Sequence, residues 1–139
     1  MTKIRKGLTL PIKGQPKSEF DRNKSVKSVA ILGSDYQGMK PTMLVKEGDE
    51  VKKGQIVFEC KRQVGVKYTS PAAGKVLSIN RGPKRVFESL VIQVSSSDEQ
   101  VDFSHYKKSD LDKIDYEKVK NLLQESGLWT ALRTRPFSK

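Results

Sequence analysis

Two residues with reactive side chains stand next to each other near the middle of the sequence, Cys60 and Lys61, and Arg62 follows them. A lysine amine at the tip of an exposed hairpin is a point of covalent attachment for a prosthetic arm. A cysteine with cationic neighbours is held more readily as the reactive thiolate. A cysteine at the end of a half-buried strand, with no reactivity, is the alternative interpretation of Cys60.

No other set of residues assembles into a familiar catalytic site. His105, in the stretch DFSHY, has no partner constellation, and a surface-loop histidine is the simplest interpretation. One histidine and one cysteine cannot build a structural zinc site. No Ser/His/Asp set, carboxylate pair or glycine-rich phosphate cradle can be assembled. We therefore expect no catalytic residue, no metal site and no cofactor bound by this chain.

Short apolar runs separated by glycine turns fill the chain as far as residue 94 and predict a mainly β domain. The runs cover residues 28–33, 42–45, 54–60, 64–71, 75–80 and 85–94. In 54–60, GQIVFEC, the alternation places Ile56 and Phe58 on one face and Val57 on the other. Short strands with closely spaced turns are typical of a small barrel or sandwich.

The pattern changes after residue 100, where one helix is predicted. Asp115 is the expected N-cap and Gly127 the expected stop. Between them lies an apolar stripe of Tyr116, Val119, Leu122 and Leu123. We place the domain boundary near 95–100, so that residues 1–100 form one β domain. Residues 101–139 are too few to build a core of their own.

The positive charge is concentrated in the first part of the chain. Residues 1–85 hold nineteen Lys and Arg against seven Asp and Glu, whereas residues 86–139 hold eight against nine. This imbalance suggests an anionic partner, either nucleic acid, an acidic protein face or an anionic membrane surface. A merely solvated, soluble surface is the alternative. Aromatic residues at no common spacing argue against a nucleic-acid-binding sheet face.

Nothing in the sequence predicts secretion or membrane insertion. No apolar run approaches the ~20 residues of a transmembrane helix, and the start, MTKIRKGLTLPIKG, has no apolar core long enough for a secretory signal. The single cysteine excludes an internal disulfide framework and fits a reducing compartment. A cytosolic protein, docked to something larger, is the expectation.

The central hairpin resembles that of lipoyl and biotinyl carrier domains. The stretch VKEGDEVKKGQIVFEC (45–60) and the following turn SPAAG (70–74) carry the resemblance, which implies a barrel-sandwich hybrid fold. The tip departs from the carrier pattern because Lys61 stands one place early and Arg62 occupies the expected slot. No Asp or Met stands beside Lys61 or Arg62. A carrier domain modified at Lys61 is therefore the alternative function.

Four stretches resemble the A subunit of the Na+-translocating NADH:quinone oxidoreductase. They are KIRKGLTLPIKGQP (3–16), AILGSDYQGMKPTMLVKEGDEVKKGQ (30–55), GVKYTSPAAGKVLSINRGPKRVFESLVIQV (65–94) and LLQESGLWTALRTRPFSK (122–139). Together they cover nearly the whole chain. Because members of this family are much longer, residues 101–139 are expected to contain a helix and the truncated start of a second α/β domain.

The resemblance implies a peripheral subunit of a sodium-transporting membrane complex, on the cytoplasmic face of the bacterial inner membrane. It places NADH oxidation, FMN, FAD and the iron–sulfur centres on other subunits. This subunit is implied to contribute to ubiquinone or inhibitor binding and to assembly, without a redox centre of its own. The implied partners are the other subunits, ubiquinone and an anionic membrane surface.

The same resemblance points to LGSDYQGM (32–39) and the region around RPFSK (135–139) as the quinone site. Apolar side chains can enclose a planar ring, and glycines allow close backbone approach. The candidate residues are Leu32, Gly33, Tyr36, Gly38, Met39, Trp129 and Phe137.

The final run ESGLWTALRTRPF also resembles a glycine-rich, FMN-binding loop of the respiratory NADH dehydrogenase. Here larger side chains such as Trp129 and Thr130 replace the glycines, and Pro136 removes an amide donor. The run therefore argues against FMN on this chain. Trp129 and Phe137 offer apolar walls, and Arg133 and Arg135 offer donors. Packing against a following domain is the alternative role of these residues.

Overall fold

Seven strands and one α-helix make up the computed structural model, which describes residues 13–14, 17–20, 24–104 and 114–132. The strands are β1 (Ser28–Leu32), β2 (Pro41–Met43), β3 (Glu50–Val51), β4 (Ile56–Cys60), β5 (Lys67–Thr69), β6 (Gly74–Arg81) and β7 (Phe87–Val94). The helix α1 spans Tyr116–Glu125. One-turn 3-10 helices occupy Gly33–Asp35, Pro83–Arg85 and Leu128–Ala131.

The strands form two antiparallel sheets. The larger has the order β1-β7-β6-β3 and the smaller the order β2-β4-β5. In the larger sheet Ile31 pairs with Leu90, and in the smaller Met43 pairs with Phe58. Neither sheet is wide enough to bury its apolar face alone, so the two face each other around one core. The mainly β prediction for the first part of the chain is confirmed.

The core lies between the two sheets and is held by aromatic contacts across them. The Phe58 ring of the small sheet stacks on Tyr68, with centroids 4.6 Å apart, and tilts against Phe87 of the large sheet at 5.2 Å. Leu90 and Ile92 from β7 are fully buried beside them. Removal of apolar surface from water, as in this core, is the main contribution to the stability of a small domain.

The alternation predicted for 54–60 holds only in part, because Val57 is buried as completely as Phe58. The pairing of β4 with β5 shifts register between Ile56 and Phe58. Such an irregularity bends a strand and re-aims its side chains, so two successive residues reach apolar surroundings. The short strand β3 was not predicted, because it is embedded in the glycine-rich turn region around 47–54.

The segment after β7 turns back and is fastened to the barrel at Lys53. The Lys53 amide donates to the Glu99 carbonyl at 2.9 Å, and the Val101 amide donates to the Lys53 carbonyl at 2.9 Å. The Lys53 ammonium also contacts an Asp98 carboxylate oxygen at 2.7 Å. Residues 98–101 therefore form a clasp that closes on the β3–β4 turn.

The helix α1 begins and ends where the sequence predicts. The Asp115 carboxylate accepts from the Lys118 amide at 2.8 Å and so caps the helix. Gly127 follows the helix with a φ of 76°, a left-handed conformation that favours glycine. The predicted stripe is only partly covered, since Leu122 and Leu123 are half-buried whereas Tyr116 is 73% exposed.

The helix lies against the small sheet at β5 and the β4–β5 hairpin. A β-carbon added at Gly127 would stand 2.6 Å from the Thr69 hydroxyl oxygen, and one at Gly65 would stand 3.0 Å from the Gln124 amide nitrogen. The Thr69 hydroxyl also donates to the Ser126 carbonyl at 3.4 Å. Within the described ranges, no helix is both long enough and apolar enough to span a bilayer.

Candidate functional site

A groove of about 1080 Å³ opens at one end of the barrel, where three loops meet. Residues 33–41 between β1 and β2 form one wall, and residues 81–88 around the β6–β7 turn form the other. Arg62, from the β4–β5 hairpin, closes the end. The groove is of the size that small-molecule sites in proteins reach, and it is open to solvent.

The first wall depends on a close backbone approach at Gly33. A β-carbon there would lie 2.2 Å from the Phe87 carbonyl oxygen, so no larger residue fits. The Gly33 carbonyl accepts from the Tyr36 amide at 3.3 Å, and the Tyr36 carbonyl accepts from the Met39 amide at 3.2 Å. These bonds fold the loop into two successive turns. The half-buried Tyr36 and Met39 pack against the core cluster.

The ring of Tyr36 is held by an aromatic neighbour. It meets Tyr68 edge to face, with centroids 4.8 Å apart and planes at 83°. This geometry is favourable for aromatic quadrupoles, so the Tyr36 ring has a fixed position between the core and the groove. An aromatic ring and a thioether, that of Met39, thereby border the groove where a planar ligand could contact them.

The second wall is a tight turn that carries two residues in an unfavourable backbone conformation. The Gly82 amide donates to the Val86 carbonyl at 2.8 Å, and the Arg85 amide donates to the Gly82 carbonyl at 3.0 Å. Between them Lys84 and Arg85 have φ values of 55° and 60°. Neither is a glycine or asparagine, the residues that adopt this region easily. The turn holds both cationic side chains at the groove.

The groove is strongly basic. Its lining contains five cationic residues and two carboxylates, Asp35 and Glu88. The cations are Lys40, Arg62, Arg81, Lys84 and Arg85. Across the part of the chain that the structure describes, none of the five forms an ion pair with a carboxylate.

The structure brings together some of the residues predicted for a quinone site and separates others. Gly33, Tyr36, Gly38 and Met39 all line the groove. Leu32 is the last residue of β1, 43% exposed, and is not part of the lining. Trp129 lies in the 3-10 helix after α1 and is not part of the lining either. Phe137 lies outside the described residues, as do Arg133, Arg135 and Pro136.

The cations of the second wall were missed as site residues. The signal in the sequence was the excess of positive charge before residue 86, together with the stretch RGPKR at 81–85. Charge counting shows that cations are abundant, whereas only the fold shows that Arg62 and Arg81 meet at one groove.

The β4–β5 hairpin leaves Lys61 exposed but ties its backbone. The Lys61 amide donates to the Lys40 carbonyl at 2.7 Å, which joins the hairpin to the first wall of the groove. The far side of the hairpin contacts α1 through Gly65 and Gln124. Cys60 is buried, with 4% of its surface exposed, which agrees with the interpretation of a structural strand-end cysteine.

Two observations concern the groups that could bind a metal or a flavin phosphate in the described residues. No group of three or more His, Cys, Asp and Glu residues is suitably placed for a metal in that part of the chain, and His105 lies outside it. In the turn after α1 the Thr130 and Leu132 amides donate to the Gly127 and Trp129 carbonyls. Those two amides are therefore already used within the turn.

Comparison with known proteins gives a consistent result. The family described as the NqrA N-terminal barrel-sandwich hybrid domain matches residues 2–95. Curated proteins named as the A subunit of Na(+)-translocating NADH-quinone reductase, from Alcanivorax borkumensis and Vibrio parahaemolyticus, are each 56% identical over all 139 residues. One from Marinomonas sp. is 55% identical over the same length. The chain spans 31% of the length of each of these relatives.

Proposed function

Because the chain belongs to the NqrA N-terminal barrel-sandwich hybrid family, we propose that it works as the N-terminal part of the A subunit of a Na+-translocating NADH-quinone reductase. The match to the family covers most of the β domain, and the identity to the curated relatives continues through α1 to the end of the chain. The partners in this proposal are the other subunits of that complex, at the cytoplasmic face of the bacterial inner membrane.

Within that complex we assign a binding role, rather than a redox role, to this chain. NADH oxidation, the flavins, the iron–sulfur centres and the sodium path belong to other subunits in this proposal. The support is the chemistry of the described residues, which offer apolar rings, a thioether and cations at the groove. None of these groups exchanges electrons with a quinone, but together they can hold and orient one.

The groove is the proposed contact site for ubiquinone or an inhibitor. The observation that carries this role is the fixed ring of Tyr36, held by Tyr68 at 4.8 Å, with Met39 at the end of the next turn of the loop. A quinone ring can stack or lie edge-on against these groups. The contributions of Leu32, Trp129 and Phe137 stay predictions, and would require a ligand that extends beyond the groove.

A photoreactive quinone tests this role in the complete membrane complex. We expect labelling within residues 32–39 or 129–139, suppressed by an excess of unlabelled quinone. Tyr36→Ala should raise the apparent Kd for quinone, whereas Tyr116→Ala is the matched control, since Tyr116 is 73% exposed on α1 and does not line the groove. Labelling confined to other subunits, with an unaltered quinone affinity in Tyr36→Ala, would assign the pocket elsewhere.

A further inference from the structure

The charge of the groove is greater than a neutral quinone ring requires. Five cations and two carboxylates line it, and the cations come from three loops that are distant in sequence. Lys40 lies in the first wall, Arg62 lies in the β4–β5 hairpin, and the rest lie at the β6–β7 turn. Cations collected in this way around a concavity attract an anionic ligand into it.

The backbone of the β6–β7 turn gives a second, independent indication. Lys84 and Arg85 occupy two successive left-handed positions where glycine would be less strained. Residues held in such conformations cluster at binding sites, where the surrounding structure compensates the strain. Here the Arg81 guanidinium donates to the Arg85 carbonyl at 3.5 Å and supports the turn. Glycine at positions 84 and 85 would be less strained, but it would provide no cationic side chain at the groove.

The shape and composition of the groove favour a peptide over other anions. Arginine guanidinium groups, of which the groove has three, match the oxygens of a carboxylate or a phosphate in a bidentate geometry, and a peptide also supplies an apolar side chain for Tyr36 and Met39. The cations line a concave surface, whereas a flat lipid headgroup layer would be met best by protruding ones. Of the two aromatic residues in the lining Phe87 is buried, so Tyr36 alone offers a ring, whereas proteins that bind single-stranded nucleic acids stack successive bases on several aromatic side chains.

We propose that this groove binds an extended acidic segment of a partner protein. Its carboxylates contact Arg62, Arg81, Lys84 and Arg85, and an apolar side chain between them contacts Tyr36 and Met39. The proposal rests on the proposed function only for the source of the segment, which would be another subunit of the complex. Its carboxylates contact residues that the quinone proposal does not use, whereas its apolar side chain would share Tyr36 and Met39 with a quinone.

Fluorescence anisotropy of the 139-residue chain tests the proposal directly. The probe is a short fluorescein-labelled peptide in which glutamates alternate with leucines, and its control replaces every glutamate with glutamine. We expect saturable binding of the acidic peptide at low ionic strength, which weakens as salt rises past ~0.15 M. The double variant Lys84→Glu/Arg85→Glu should weaken it by about tenfold or more.

A charge-matched variant separates the groove from net charge. Lys27→Glu/Lys46→Glu makes the same change in charge at exposed positions that do not line the groove. It should change the affinity by less than about twofold. An equal loss in this control, or no binding of the acidic peptide by the unaltered chain, overturns the proposal.

Glycine variants separate binding from folding. Lys84→Gly/Arg85→Gly removes both cations and relieves the backbone strain, so its Tm should be no lower while the peptide affinity falls. A variant that keeps its peptide affinity overturns the proposal.

Two further ligands distinguish the sources of negative charge. Inorganic tripolyphosphate should displace the peptide only at high concentration, and displacement at concentrations equal to that of the peptide would overturn the preference for a peptide. Vesicles containing phosphatidylserine, bound more tightly than the peptide and released by the Lys84→Glu/Arg85→Glu change, would show a membrane-facing surface instead. Quinone photolabelling is measured in the complete complex and peptide binding in the 139-residue chain, so the failure of either proposal is recognisable without the other.

Discussion

Two hairpins of this domain, one from each sheet, differ from what their sequences suggest about function. The β4–β5 hairpin carries the residues that resemble a modification site, yet its far side contacts α1 at Gly65 and its near side bonds to Lys40. The β6–β7 turn has no recognisable motif, yet it presents Lys84 and Arg85 in strained conformations at a basic groove.

A hairpin can therefore keep the geometry of a carrier domain without the conditions for modification, while a turn without a motif can present binding side chains. A carrier lysine requires a tip that a modifying enzyme can surround, which the contact with α1 opposes. A binding groove requires side chains that are held rather than free, which the tight β6–β7 turn provides. Four substitutions test whether the two hairpins differ in this way.

Gly127→Ala should have the largest effect, because it attacks the contact between α1 and the small sheet. The added β-carbon meets Thr69 within 3 Å at two atoms, and the φ of 76° is strained for alanine. We expect the free energy of unfolding to fall by about 2–3 kcal/mol, measured by urea denaturation. Gly48→Ala is the control, since Gly48 has a φ of 93° but no neighbour within 4 Å. Equal losses in both would mean that the contact with Thr69 contributes nothing.

Asp115→Ala should loosen the β4–β5 hairpin, because it weakens the helix that contacts the hairpin at Gly65. Loss of the cap to the Lys118 amide costs about 1 kcal/mol. Trypsin should then cleave faster after Lys61 and Arg62, while cleavage after Arg85 stays at the same rate. Asp115→Asn retains a capping oxygen and should behave like the unaltered chain. Equal acceleration at both hairpins would show that the two are not protected separately.

Lys84→Gly should stabilise the β6–β7 turn, which inverts the usual effect of glycine. Relief of the left-handed strain is expected to raise the free energy of unfolding by up to about 1 kcal/mol. Lys75→Gly is the control, because Lys75 lies in β6 and pairs with Glu50 in extended conformation, where glycine destabilises by about 0.5–1 kcal/mol. A loss of stability at both positions would show that the left-handed conformation of Lys84 does not strain the turn.

Lys61→Ala should have the smallest effect. The side chain is exposed and the bond to Lys40 uses the backbone amide, so stability should change by less than about 0.5 kcal/mol. The quinone reductase activity of the assembled complex should also stay nearly unchanged. The mass of the intact chain provides the second measurement, and an added lipoyl or biotinyl group on Lys61 would support the carrier alternative instead.

The sequence alone predicts most of the fold and points to one wall of the candidate groove. Local rules placed the helix, because capping by Asp115 and the stop at Gly127 depend on a few neighbouring residues. The Leu32–Met39 stretch was recognisable from family resemblance, and part of it does line a groove. The strand β3 could not be predicted, because a strand of two residues shows no alternation of apolar and polar residues.

The rest of the candidate groove depends on contacts between distant parts of the chain. Arg62 and Arg85 are separated by more than twenty positions, and no local pattern indicates that they share a groove. The strain at Lys84 is likewise invisible, since lysine has no preference for a left-handed conformation. The burial of Val57 follows from a register shift that an alternating pattern cannot anticipate.

The clasp at Lys53 joins two parts of the chain that lie more than forty residues apart, since Asp98 stands 45 positions after Lys53. Closing a chain loop of that length costs conformational entropy, so these bonds are expected to form only after the strands between them, β4 to β7, have assembled. Three backbone and side-chain bonds at one turn thus depend on the folding of the whole barrel between their ends.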